Sequence, residues 1–206
     1  MLGQSRIQRH ALIAAGFAAS LIVFVLVPRP EKLGNIPTAW LLIVFLLPFT
    51  ASMTTALFGR LWWRDPVRER DDALDSVYNA IVFRVVAFLI ATHIVVLAVL
   101  SGVEWIQPWA SRTVVVCLGL TLASIGNVLP RTRPNVVIGI RTARTLANRD
   151  AWIRMHRTTG YIAVGIGLVV IVCGMLVPGH SMASVVLAAG AVGLAALVAQ
   201  HRALHV

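Results

Sequence analysis

Long apolar runs alternate with short charged breaks along the chain. Six runs of 17 to 24 residues are almost free of charge: 11–27, 36–58, 77–100, 113–129, 159–177 and 182–199. Each is close to the roughly 20 residues that an α-helix needs to cross a hydrocarbon core about 30 Å thick. Membrane β-strands would give alternating segments of about ten residues instead. Helix-ending residues mark most breaks: Pro28 and Pro30, Ser101 and Gly102, Pro130, then Pro178 and Gly179. The pattern predicts an all-α fold. It is a polytopic transmembrane bundle of six helices, one integral membrane domain over 1–206, with short interfacial helices in its cytoplasmic loops.

Composition sharpens this. The chain is 58% hydrophobic and 13% charged, against about 25% charged in soluble domains. Its net charge of +10 comes from seventeen arginines and Lys32 against eight acids. On a soluble domain such an excess would suggest nucleic acid, but no basic–aromatic interleaving supports that. In membrane proteins basic residues gather in cytoplasmic loops. Fourteen of the eighteen lie on one side: Arg6 and Arg9, the loop at 59–76, the connector at 130–158, and Arg202. Arg29, Lys32 and Arg112 lie on the other, and Arg84 falls inside the third span. This bias predicts a multi-pass protein of the bacterial cytoplasmic (inner) membrane with both termini cytoplasmic. Trp105 and Trp109, beside Glu104, then read as an anchor on the outer side. No small-residue cleavage site follows the first run, so it reads as a retained helix and not a signal peptide.

Cys117 and Cys173 lie inside apolar runs and read as small buried hydrophobes. No metal-ligand spacing is present and no cofactor is implied. The last span, rich in Ala and Gly, reads as a tightly packed helix of the bundle, with a dimerisation face as the alternative.

Ionisable groups inside spans are costly and therefore candidates for function. Arg84 can snorkel to the interface or line a polar cavity with Asn79 and Asn127. His93 lies deeper, either as a neutral ring bonded to a neighbouring helix or as a ligand or proton site. Pro48 predicts a kink, with the hydroxyls of Thr50, Ser52, Thr54 and Thr55 at hand to satisfy freed backbone groups. No acid falls within the spans as drawn, which weakens an ion-coupled transporter. No serine-hydrolase elbow, zincin or phosphate-loop motif appears.

Two basic loops carry the remaining pattern. In the first, Asp65 before Pro66 suits a helix start, Arg68 can pair with Asp71 or Asp72, and Trp62 and Trp63 suit headgroup depth. Its acids could also dock onto the second loop. That second loop runs from 125 to 160 and holds seven arginines: Arg131, Arg133, Arg141, Arg144, Arg149, Arg154 and Arg157. Pro130 and Pro134 exclude continued helix. Asn135 and Gly139 suit tight turns. Asn148 can cap a helix beginning at Arg149, where Asp150 favours the dipole and reaches Arg154 at i+4. Trp152 and His156 share a face of that helix, which feeds directly into the fifth span.

This loop resembles the SdpI-type bacterial membrane proteins. The resemblance rests on Gly126 and Asn127; on Pro130, Arg133 and Asn135; on Gly139, Ile140, Arg141, Thr142, Thr145 and Leu146; and on Trp152, His156, Arg157 and Gly160. Where the family usually has Pro-Trp, this chain has Ala143-Arg144, and the family's N-terminal Ile-Pro-x-His segment survives only as Asn35-Ile36-Pro37-Thr38. Members include an immunity factor against a secreted toxin that also holds a transcriptional repressor at the membrane. The resemblance thus implies immunity or signalling and no catalysis. The binding set would be Asn127, Arg133, Asn135, Arg141, Thr142, Arg144, Thr145, Trp152, His156 and Arg157, with Gly126, Pro130, Gly139 and Gly160 as structural positions. Partners would be the bilayer and its anionic headgroups, a toxin peptide or a cytoplasmic protein, and no nucleic acid. The alternatives are a small transporter using Arg84, His93 and Asn127, and an interfacial enzyme using Arg141, Arg144 and His156.

Overall fold

The computed structural model describes residues 2–28, 37–65, 72–135, 137–177 and 182–203. Readings placed on 29–36, 66–71 and 178–181, including the Asp65–Pro66 helix start and the Arg68 pairs, lie outside the described residues. Seven α-helices follow one another: α1 (Leu2–Leu26), α2 (Pro37–Trp63), α3 (Asp72–Leu100), α4 (Ala110–Val128), the single turn α5 (Ala143–Ala147), α6 (Arg149–Leu176) and α7 (Met182–Ala203). Short 3-10 turns flank α4 at Gln107–Trp109 and Leu129–Arg131. No strand occurs among the described residues.

Among the described residues, five segments are long and apolar enough to cross a bilayer: Arg6–Leu26, Trp40–Trp63, Asp75–Leu100, Gln107–Arg131 and Arg149–Leu176. In α7 the apolar stretch Val186–Ala196 is shorter. The outward surface is lipid-like: Leu42, Leu46, Phe49, Met53 and Leu57 of α2 are each more than half exposed. That outward face would be unfavourable in water and is the usual outward face of a membrane bundle.

The helix ends correct the spans read from sequence. α1 begins before Arg6 and Arg9, α2 passes Gly59 and ends at Trp63, and α3 begins before Asp75. Charged residues end an apolar run but leave backbone pairing intact, so the helices continue through them. Arg9 is consequently 6% exposed inside the bundle. The third membrane-length segment carries Asp75 at its edge, so an acid does belong to a span.

The closest packing joins α4 to α6. A seven-residue repeat keeps Gly119 and Gly126 on one face of α4, and Gly160, Gly167 and Gly174 on one face of α6. A Cβ on Gly160 would stand 2.6 Å from the Gly126 carbonyl oxygen, and one on Gly167 would stand 2.6 Å from that of Gly119. In lipid, where apolar burial drives little association, such backbone contact is a main source of helix attraction. α7 packs more loosely. Gly190 faces open space and Gly193 approaches only Ile166, so the expected tight packing of the last helix is met at one glycine and not the other.

α1, α2 and α3 form a second unit with a polar centre. Pro48 lies inside α2 and has no N–H, which leaves the carbonyl of Val44 without its helical partner. The hydroxyl that answers it comes from α1: Ser20 Oγ donates to Val44 O at 2.7 Å and also lies 2.9 Å from Gly16 O. Of the hydroxyls expected to do this, Thr50 and Ser52 instead donate to Leu46 and Pro48 carbonyls of their own helix. His93 of α3 reaches the same hydroxyl, with Nε2 2.7 Å from Ser20 Oγ. Ser20 has one proton and two carbonyls to satisfy, so His93 Nε2 carries hydrogen and donates. His93 therefore ties α3 to α1 through this bond, as its structural reading expects, while its buried Nδ1 has no hydrogen-bond partner among the described residues.

Candidate functional site

The connector from 129 to 158 is a small folded unit with its own hydrogen-bond plan. After α4 the chain turns through Leu129–Arg131, and Thr132 closes the turn with both its N–H and its hydroxyl on Leu129 O, at 3.1 and 2.7 Å. Pro130 packs where a Gly160 side chain would be, 2.9 Å from that absent Cβ. Asn135 is 2% exposed. Its Oδ1 accepts the N–H groups of Val137 and Ile138 at 2.8 and 2.7 Å, and its Nδ2 donates to Arg133 O and Ile138 O at 2.7 and 3.1 Å. This side chain thus stands in for the secondary structure that the loop lacks.

The turn it holds drives Val137 and Ile138 inward. Both are buried in one cluster with Ile13 of α1, Trp62 of α2, and Tyr78 and Val82 of α3. The loop therefore docks onto the first unit with these two aliphatic side chains. Of the first loop's acids, Asp75 receives Trp62 Nε1 at 2.7 Å, Asn79 Nδ2 at 3.1 Å and Arg6 Nη2 at 3.4 Å, and Glu69 and Asp71 lie outside the described residues. Trp62 is buried and stacked on Tyr78 at 4.6 Å, while Trp63 is exposed.

Gly139 follows with φ +111°, in the left-handed region that side chains avoid. A Cβ there would also collide with His156 Nε2. The close approach has a purpose. Ile140 N–H donates to His156 Nε2 at 3.0 Å, and His156 Nδ1 lies 2.9 Å from Trp152 O. An acceptor at Nε2 and a carbonyl at Nδ1 fix the neutral ring with hydrogen on Nδ1. The imidazole stacks on Trp152 at 3.9 Å, and Trp152 Nε1 donates to Thr132 O at 3.1 Å. Trp152 and His156 are both fully buried.

Thr142 caps α5, with Thr145 N–H donating to its hydroxyl at 3.1 Å and Thr142 N–H donating back to Thr145 Oγ1 at 2.8 Å. Thr145 Oγ1 also donates to Ile140 O at 2.9 Å. Ala143 is then the first helical residue of α5, a position that accepts proline, which accounts for the Pro of the resembled pattern. Asn148 caps α6 as expected, its Oδ1 accepting from Asp150 and Ala151 N–H at 2.9 and 3.1 Å. Asp150 and Arg154 are both exposed, and no ion pair joins them among the described residues.

The proposed binding set therefore divides in two. Asn135, Thr145, Trp152 and His156 point inward, and Thr142 is spent on the α5 cap. Arg131, Arg133, Arg141, Arg144, Arg149, Arg154 and Arg157 are all exposed around that frame, with Arg157 Nε 3.3 Å from the Tyr161 hydroxyl. Asn127 is exposed on α4, Arg84 donates to Ala80 O of its own helix at 2.7 Å, and Asn79 donates to Asp75. Among the described residues no hydrogen bond links Arg84, His93 and Asn127. His156→Phe is expected to keep the stack on Trp152 but leave Ile140 N–H without its acceptor, a loss of about 1–3 kcal/mol. Faster proteolysis between 131 and 149, with the rest of the chain intact, is the measurement. An unchanged cleavage rate would refute the anchoring role.

Membrane-length apolar helices, a lipid-facing exterior and glycine-mediated helix contact define a multi-pass helical membrane protein. Its residues 131–200 match the model of the SdpI/YfhL protein family. The SdpI-type resemblance read from the connector thus has support from Arg131 into α7, with α1, α2, α3 and α4, and the motif positions Gly126, Asn127 and Pro130, outside the match. No curated protein and no solved structure matches the chain significantly.

Sequence reasoning passed over Ser20, Arg9, Val137, Ile138 and most of the glycine seam. The seven-residue glycine spacing was the available signal for the last of these.

Proposed function

We propose that the protein is a non-catalytic, six-span SdpI-type protein of the bacterial cytoplasmic membrane, with α7 as the sixth crossing and both termini and the connector on the cytoplasmic side. Its role is immunity or signalling, carried out by binding through the connector's arginines. The ligand is an acidic surface, either of a protein or toxin peptide or of anionic headgroups. One observation carries this reading: the polar residues of the motif satisfy one another inside a rigid loop, while all seven arginines of the loop are exposed. A loop evolved only to connect two helices needs no such frame. Guanidinium forks displayed on such a frame suit carboxylates and phosphates, and basic clusters beside membrane helices attract anionic lipid at about 1 kcal/mol per residue. Fourteen of eighteen basic residues fall on the connector's side, which supports the orientation.

The test replaces Arg141 and Arg144 together by glutamine. The variant is expected to reach the membrane at wild-type levels and lose protection or partner capture by at least about tenfold, the effect of one to two charge-assisted contacts. Full protection and capture at equal expression would reject the binding role. Labelling of a cysteine at Ala147, exposed on α5, reads the orientation independently. Modification from the outside of intact cells would reverse it.

A further inference from the structure

A second basic site lies on α1–α3, outside the family-matched segment. We infer that the cavity at the charged end of α1, α2 and α3 binds an oxyanion of the phosphate-ester class. The cavity has a volume of about 510 Å³ and is lined by Arg6, Arg9, His10, Arg60, Arg64 and Tyr78, together with Thr55, Asn79 and the two tryptophans. Among the described residues its lining holds four guanidiniums and no carboxylate.

The interior of the cavity is built and unsatisfied. Arg9 is 6% exposed, Tyr78 3% and Asn79 1%. Yet Arg9 Nε and Nη1, the Tyr78 hydroxyl, Thr55 Oγ1 and Asn79 Oδ1 have no hydrogen-bond partner among the described residues. Buried polar groups are nearly always paired, and a cluster of exceptions calls for partners from outside the fold, which a ligand can supply. Asp75, the nearby acid that could have answered Arg9, is already occupied by Trp62, Asn79 and Arg6. Asp65 is buried at the end of α2 and also lies outside the lining. Among the described side chains, four arginines thus stand against these two acids. The N–H groups of Arg9 and the hydroxyl of Tyr78 are the donors a phosphate oxygen needs. Asn79 Oδ1 can accept a hydroxyl on the same ligand.

The donors are also held in place. Tyr78 lies flat on Trp62 at an interplanar angle of 10°, and Trp62 is tied to Asp75. Arg60 and Arg64 are exposed at the mouth with Trp63. Arg6, Trp63 and Asp75 each end a membrane-length apolar segment, so the site sits at headgroup depth. Its ligand can come from a lipid headgroup sliding in from the leaflet or from a soluble phosphate.

The test follows thermal unfolding of the full purified chain in uncharged detergent with added phosphatidylglycerol, phosphatidylcholine or inorganic phosphate. Wild type is expected to gain stability with phosphatidylglycerol, phosphate or both, and Arg112→Gln, at the other end of the bundle, to respond in the same way. Arg9→Met removes a buried unpaired charge, so the ligand-free protein is expected to melt higher while the response to ligand falls at least about tenfold in half-saturation. Tyr78→Phe keeps the stack on Trp62 and is expected to weaken the response in the same direction, and it decides the matter should Arg9→Met fail to fold. A response to phosphatidylglycerol alone assigns the headgroup, and one to phosphate assigns the free anion; either supports the site. No response in wild type, equal stabilisation by phosphatidylcholine, or an undiminished response in Tyr78→Phe would overturn it.

Discussion

Gly160→Leu is expected to separate α4 from α6 and cost about 3 kcal/mol or more, at the upper end of what overpacking does. The new Cβ would lie 2.6 Å from the Gly126 carbonyl oxygen and 2.9 Å from Pro130 Cδ. One obstacle is helix backbone and the other a closed ring, so no side-chain rotation makes room. The damage has two targets, because the same glycine seats the helix crossing and the proline turn that starts the connector. Unfolding of the purified protein in mixed micelles measures the loss, and proteolysis at 131–149 reports whether the connector loosens with it. Gly165→Leu supplies the control. It lies on the same helix with nothing within 4 Å of its Cβ position, and it is expected to be neutral or to gain the propensity difference of up to about 1 kcal/mol. Equal losses at the two positions would show that leucine harms α6 generally and that no glycine seam holds the helices.

The two glycine positions also show how far the sequence could be read. Helices were legible because hydrophobic runs of membrane length leave few alternatives. Their ends were not, because charge stops an apolar run at Ala11 or Val77 while hydrogen bonding carries α1 and α3 back past Arg9 and Asp75. That displacement concealed the buried arginine and its cavity. In the connector, local chemistry was legible where spacing alone decides it: the Asn148 cap, and Trp152 with His156 one helical turn apart. What could not be read was direction. Asn135 and Arg133 looked alike as members of a motif, but the folded loop buries the first and leaves the second exposed. Nor could Val137 and Ile138 declare their partners, since burial against Tyr78 and Ile13 depends on helices distant in the chain. The motif as a whole was visible; the division between the residues that build the frame and those displayed on it needed coordinates.

The polar centre of α1–α3 had the same limitation, and it gives the second large effect. Ser20→Ala is expected to cost about 3 kcal/mol. It leaves the Val44 carbonyl and His93 Nε2–H without partners in a dry interior, at about 1–3 kcal/mol for each. Proline makes the argument testable. With alanine at 48, the new N–H lies one turn beyond Val44 and can take up its carbonyl as an ordinary helical bond. Ser20 is then needed only by His93 and Gly16, which lie 2.7 and 2.9 Å from its hydroxyl. Pro48→Ala should accordingly soften the penalty of Ser20→Ala by about 1 kcal/mol, a coupling of the size found between contacting residues. Stability of the four proteins of this cycle, measured under one detergent condition, gives the coupling directly. Additivity within about 0.5 kcal/mol would mean that Val44 O draws nothing from Ser20. The hydroxyl would then serve His93 and Gly16 alone, and the proline in α2 would have found its compensation elsewhere.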